Sequence, residues 1–223
     1  MNYEQARFNM IEQQIRPWEV LDTQVLSLLA VIKREDFVPL AHKSLAFADL
    51  EIPLPPQTHP SQCMLSPKVE ARLLQDLAVQ KHEKVLEIGA GTGYMAALLA
   101  HRAQQVLSLE IDIGLAALAR ENLQKAGIHN AQVLQRDGSL PLGGEAAGPF
   151  DVILLSGSVA EVPEALKAQL KVGGRLAAIV GTDPVMCATI VTRVSDSAWR
   201  MTQDWETIAP RLQGFTEPSA FSF

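Results

Sequence analysis

Cysteine is scarce in this chain of 223 residues, with only Cys63 and Cys187. Two cysteines make no disulfide framework, and the expectation is a reducing, cytoplasmic setting. Metal-ligand spacing is also missing. His42, His59, His82, His101 and His129 are scattered, so no metal site is expected. Clustered positive charge is absent beyond Lys33-Arg34, and the formal net charge is −6. That argues against nucleic acid, whose phosphates need concentrated lysine and arginine. The best apolar segment, residues 25–32, is far too short to span a bilayer, so no membrane partner is expected. The opening residues 1–7 are polar and read as no signal peptide. There is no repeat, no low-complexity tract, and no Ser-His-Asp or Cys-His set that the spacing suggests. What is present is a 48% hydrophobic, 20% charged composition, ample for one α/β domain with a real core and short for two.

The most informative stretch is Val85-Leu86-Glu87-Ile88-Gly89-Ala90-Gly91-Thr92-Gly93-Tyr94. Apolar residues run into three glycines spaced two apart, and an apolar helical pattern follows. This reads as a buried strand, a tight turn and a helix, with glycines where the backbone bends and where a ligand comes close. Glu87 is a carboxylate at the end of a buried strand, a costly place for a charge unless it meets a polar partner. Twenty-three residues later the apolar run 106–109 ends in Glu110, placed to accept hydrogen bonds from a ribose. A dinucleotide site wants a third close-packing glycine where Tyr94 stands. The tyrosine suits a nucleoside cofactor without phosphates, as in the S-adenosylmethionine-dependent methyltransferases, whose glycine motif this stretch resembles.

The flanking pattern predicts helices over 2–15, 22–33 and 40–47, with Asp22 capping the second. Residues 53–67 hold five of the thirteen prolines and read as an irregular loop. Ser66-Pro67 then reads as N-cap and first position of a helix whose stripe is Val69, Leu73, Leu74 and Leu77. From Lys84 strands and helices alternate: strand 84–88, helix 93–102, strand 105–110, helix 113–126, strand 131–136, strand 150–155, helix 163–170, strand 175–180. Strands 188–194 and 199–206 follow, with a further one over 219–223. The expectation is an α/β, Rossmann-like, mostly parallel doubly wound sheet with helices on both faces and an antiparallel edge. Residues 1–80 would form a helical cap and loop, and 81–223 the cofactor-binding core, as one compact unit.

Ligands of such sheets bind beyond the carboxyl ends of the strands. That places Glu87, Gly89, Ala90, Gly91, Thr92, Gly93, Glu110, Ile111, Asp137, Gly138 and Ser156 around the cofactor. Asp137 would accept from an adenine amino group; the alternative is that Asp137-Gly138 is simply a turn. No general base is visible. A carboxylate acceptor needs none, because it is already ionised at neutral pH.

Over residues 10–182 the chain resembles the protein-L-isoaspartate O-methyltransferases. Arg34-Glu35-Asp36-Phe37-Val38-Pro39 looks like that family's R-E-x-F-V-P segment, and Ala46-Phe47-Ala48-Asp49 with Ile52-Pro53 its A-Y-x-D…L-P. Residues 85–94, Asp137-Gly138, Pro149-Phe150-Asp151 and Gln169-Leu170-Lys171-Val172-Gly173-Gly174-Arg175-Leu176 resemble further blocks in order. The resemblance implies S-adenosylmethionine as cofactor and S-adenosylhomocysteine as product. It implies methylation of isoaspartyl carboxylates in aged proteins by a monomer or homodimer. The acceptor loop departs from the family's G-Q-T-I-S-Q-P. Gln62 matches the glutamine, Cys63 replaces the threonine, and Leu65 replaces the serine; a second register puts Pro60 there. Ser66 is then either a helix N-cap or a displaced catalytic serine. Two alternatives stay open: a related methyltransferase with a small-molecule acceptor, and a non-catalytic cofactor-binding regulator.

Overall fold

The computed structural model describes residues 2–55, 59 and 62–217. Asn2 caps helix α1 (Tyr3–Met10), which widens into a π-helical turn, Ile11–Ile15, and a 3₁₀ turn, Arg16–Trp18. Asp22 caps α2 (Thr23–Val31) as expected, accepting from the N–H groups of Gln24 and Val25. A 3₁₀ turn over Leu40–Leu45 stands where a helix was expected. Inside the proline-rich loop, the short strands β1 (Ile52–Pro53) and β2 (Cys63–Met64) pair antiparallel. Helix α3 (Pro67–Leu77) buries Val69, Leu73, Leu74 and Leu77.

Ser66 occupies the N-cap position of α3, but its hydroxyl makes no capping bond. The reason is local. The Val69 N–H, which a capping hydroxyl would take, bonds to the Ser66 carbonyl at 3.1 Å instead. The capping part of the Ser66 expectation is therefore corrected.

The core sheet comprises β3 (Lys84–Ile88), β4 (Gln105–Glu110), β5 (Ala131–Gln135), β6 (Phe150–Val159), β7 (Leu170–Thr182), β8 (Val185–Arg193) and β9 (Trp199–Glu206). Their order is β5-β4-β3-β6-β7-β8-β9. The pairings from β5 to β7 are parallel, and those of β7 with β8 and β8 with β9 antiparallel. This is the α/β class expected. Successive strands leave β3 in one direction through α4 (Tyr94–Arg102) and α5 (Ile113–Lys125), while β6 lies on its other side. The crevice at that reversal, beyond the carboxyl ends of β3, β4 and β6, is where a ligand fits.

The two faces of the sheet are covered differently. Val85, Val106, Val152 and Ala177 pack into one large core with residues of α1 to α5, so the N-terminal cap and the sheet share a core. On the other face Leu86, Ile88, Leu107 and Ile153 meet Ala146, Val162 and Leu166, with Leu212 and Phe215 against them. The helix on that second face, α6 (Glu164–Lys167), has only four residues rather than the expected span of 163–170. It is cut short because Leu170 is already paired with Phe150 in the sheet.

After β9 the chain returns across the end of β6. Ser158 donates from its N–H to the Pro210 carbonyl at 2.8 Å, and Leu212 donates to the Ser158 carbonyl at 2.9 Å. The Ser158 hydroxyl donates to the Ala209 carbonyl. The strand expected over 219–223 lies outside the described residues, as does Pro60 of the alternative loop register. Among the described residues, no helix is long and apolar enough to cross a membrane.

Candidate functional site

The glycine turn is held open by backbone conformation. Gly89, Gly91 and Gly93 all have positive φ, at 92°, 53° and 87°. Glu110, at the end of β4, ties that turn to the next strand. One carboxylate oxygen accepts from the Gly91 N–H at 2.8 Å and the other from the Asp112 N–H at 3.0 Å. Burial pushes the Glu110 carboxyl above the usual range, and these backbone donors oppose it.

Glu87 is fully buried. It accepts from the Ser108 hydroxyl at 2.6 Å and from the Ser156 hydroxyl at 2.8 Å. Burial raises its pKa to about 7, and the two serines offset part of that. Beneath the turn, Glu87, Ala90, Thr92, Ser156, Glu70 and Tyr94 line a small inner chamber. The Thr92 and Tyr94 hydroxyls there are buried without a hydrogen-bond partner.

The larger cleft above is lined by Gly89, Gly91, Glu110, Ile111, Gly138 and Ser156 of the predicted set. Gly138 is closely packed, since a Cβ there would lie 2.5 Å from Ile88 Cγ2. Gln62 and Leu65 also line the cleft, and the Gln62 side-chain amide reaches Asp112 at 3.3 Å. Leu65 and Cys63 border both cavities.

Three expected residues stand elsewhere. Asp137 accepts from the Ser139 N–H and hydroxyl, lies against Gly214, and is not among the lining residues. Gly93 packs against the Ala119 backbone rather than facing the cleft. Ser66 is buried and lines neither cavity.

Sequence reasoning missed Leu54, Arg136 and the whole returning segment, Pro210 with Arg211, Leu212, Gln213 and Phe215, which walls the cleft. The side chain of Leu212 fits against Gly89 and Gly157, where a Cβ would come within 2.9 and 2.8 Å of it. Only the glycine of Ser156-Gly157 hinted that something packs there. Among the described residues, no three His, Cys, Asp or Glu side chains are grouped to hold a metal.

Residues 5–208 match the family model described as protein-L-isoaspartate(D-aspartate) O-methyltransferase. The protein-L-isoaspartate O-methyltransferase of Koribacter versatilis (strain Ellin345) is 38% identical over 212 residues, 94% of this chain and 93% of that one. That of Aeropyrum pernix is 35% identical over 216 residues, 95% of this chain and 81% of that one. A solved protein-L-isoaspartate O-methyltransferase structure superposes with a TM-score of 0.77 at 25% identity, covering 93% of this chain and 66% of the other. A Plasmodium falciparum structure titled as a putative protein-L-isoaspartate O-methyltransferase, in complex with S-adenosyl-L-homocysteine, shares the fold. Its TM-score is 0.73 at 18% identity, over 95% of this chain and 99% of that one.

Proposed function

Because the chain belongs to the protein-L-isoaspartate(D-aspartate) O-methyltransferase family, we infer that it methylates the free carboxylate of isoaspartyl residues in proteins or peptides. This reading is favoured over a small-molecule acceptor and over a binding protein without turnover. S-adenosylmethionine supplies a methyl group on a positively charged sulfur, and S-adenosylhomocysteine is what remains once the acceptor carboxylate oxygen has taken it.

The residues present suit that group. Glu87 is a buried carboxylate that, among the described residues, has two serine hydroxyls and no cation as hydrogen-bond partners. A ligand bringing positive charge compensates it. Residues 89–93, with Ala90 and Thr92, would sit under the amino-acid end of the cofactor. Glu110 would take the ribose hydroxyls, and Ile111 and Gly138 would flank the adenine. Asp137 would contribute through the turn that presses Gly138 against Ile88. Ser156 would orient Glu87. The acceptor carboxylate is ionised at neutral pH, so the chain needs only to align it and exclude water. Gln62 and Leu65 are the loop residues at the cleft for that task.

The division of labour assigns residues 1–80 to the acceptor side and 81–223 to the cofactor side. The free cysteines Cys63 and Cys187 suit a cytoplasmic setting. The single observation that carries the reading is Glu110 at the end of β4, gripping the glycine turn. Glu110→Ala should weaken S-adenosylhomocysteine binding at least tenfold by calorimetry. Unchanged affinity would remove Glu110 from the site. With labelled S-adenosylmethionine, an isoaspartyl peptide should gain base-labile methyl ester while its aspartyl counterpart does not; equal labelling of both, or none, would defeat the assignment of acceptor.

A further inference from the structure

Arg34 is completely buried, although arginine is among the side chains least often enclosed. Its guanidinium has a partner in each direction. Nε donates to the Ala46 carbonyl at 3.1 Å. Nη1 pairs with the Glu70 carboxylate on α3. Nη2 donates to the Leu65 carbonyl at 2.7 Å. The plane also lies 5.0 Å from the centre of the Tyr94 ring, the first residue of α4 after the glycine turn. One side chain thus joins the cap, the acceptor loop and the base of the cofactor turn. A planar fork can hold these acceptors together, and a lysine ammonium cannot.

The Leu65 contact gives this cluster a function beyond stability. Leu65 faces both cavities, and its carbonyl is fixed from behind by Arg34. β2 is only two residues long and pairs with an equally short β1, so the sheet itself does little to set the height of the loop. We propose that Arg34 is a positioning residue for methyl transfer, holding the acceptor loop at Leu65 in register over the cofactor turn without itself touching either reactant. The proposal rests on the isoaspartyl-methyltransferase reading for its activity arm only.

The test compares Arg34→Lys with its parent, both carrying Cys187→Ala so that Cys63 is the sole thiol. Cys63 lies in β2, two residues from Leu65, and is partly exposed, so its alkylation by iodoacetamide reports loop position. Three results are expected for Arg34→Lys. S-adenosylhomocysteine affinity stays within twofold by calorimetry. The kcat/KM for an isoaspartyl peptide falls at least tenfold, and Cys63 alkylates at least fivefold faster.

Alkylation and kcat/KM both within twofold of the parent would overturn the proposal. So would a loss of cofactor affinity as large as the loss of kcat/KM, since that marks general damage to the fold. If the parent does not methylate isoaspartyl peptides, the function reading fails and the alkylation arm decides alone: faster labelling with cofactor affinity kept upholds the clamp, and equal labelling rejects it. Should Arg34→Lys fail to fold, Glu70→Gln is read by kcat/KM against cofactor affinity alone, because the Glu70 charge itself raises the pKa of the Cys63 thiol and its removal speeds alkylation wherever the loop sits. Glu70→Gln keeps an acceptor for Nη1 while removing the charge that orients the fork.

Discussion

Among the described residues Glu87 hydrogen-bonds only to serine hydroxyls, and its burial leaves it protonated over a pH range in which an exposed glutamate is ionised. Its folded pKa of about 7 lies above the ordinary value of 4.5. The folded state therefore binds more protons than the unfolded state between those limits, and ligand-free stability falls as pH rises through that window. Glu83 and Asp151, held low by Arg175 and Lys171, act oppositely and only in more acid solution. Glu87→Gln should match the wild type near pH 5 and exceed it by up to ~3 kcal/mol at pH 8. Thermal melts of the ligand-free proteins across that range check this; parallel curves would mean that Glu87 is ionised throughout. Leu65 gives a second test. Leu65→Ser should cost about 2 kcal/mol of stability through lost burial. It should raise kcat/KM for an isoaspartyl peptide severalfold by supplying a hydroxyl donor. A drop in turnover with cofactor affinity intact would show that the apolar side chain serves the acceptor.

At the scale of elements, capping separates helices that look alike in sequence. Asp22 accepts from two N–H groups of α2, while Ser66 leaves α3 without a side-chain bond. Asp22→Ala should cost about 1 kcal/mol, and Ser66→Ala less than about 0.5 kcal/mol. In melting temperature the first is roughly 2–4 °C for a chain of this size. Equal losses would mean that the Ser66 hydroxyl bonds in solution after all. Strand β3, the glycine turn and α4 were legible because local chemistry decides them: a buried run broken only by Glu87, closely spaced glycines, then an uninterrupted helical stripe. The ends of α6 and β7 were not, because Leu170 is claimed by Phe150, a partner twenty residues away. Glu110 could be placed at the cleft from its spacing, and Glu87 beside the glycine turn, where it lines the inner chamber. Asp137 could not, since its turn with Ser139 and its contact with Gly214 involve a segment with no period to read.

For the molecule as a whole, one core runs from the N-terminal cap through α4 and α5 into the sheet. The cap and the cofactor half should therefore melt together in a single transition. The returning segment completes that packing, held at Ser158, by Arg211 donating to the Gly181 carbonyl, and by Leu212 and Phe215 against the second face of the sheet. It also follows every strand of the sheet in the chain. During synthesis, the wall of the cleft is added only after all seven strands have been joined to the chain. A released chain that ends at residue 208 has all seven strands but lacks the residues, Pro210, Leu212 and Phe215, that close one side of the cleft. Such a chain should show native-like circular dichroism yet hold S-adenosylhomocysteine at least tenfold more weakly than the full-length protein. Equal affinity would mean that the wall is dispensable. The order of translation thus makes cofactor capture a late event, delayed until the fold around the site is finished.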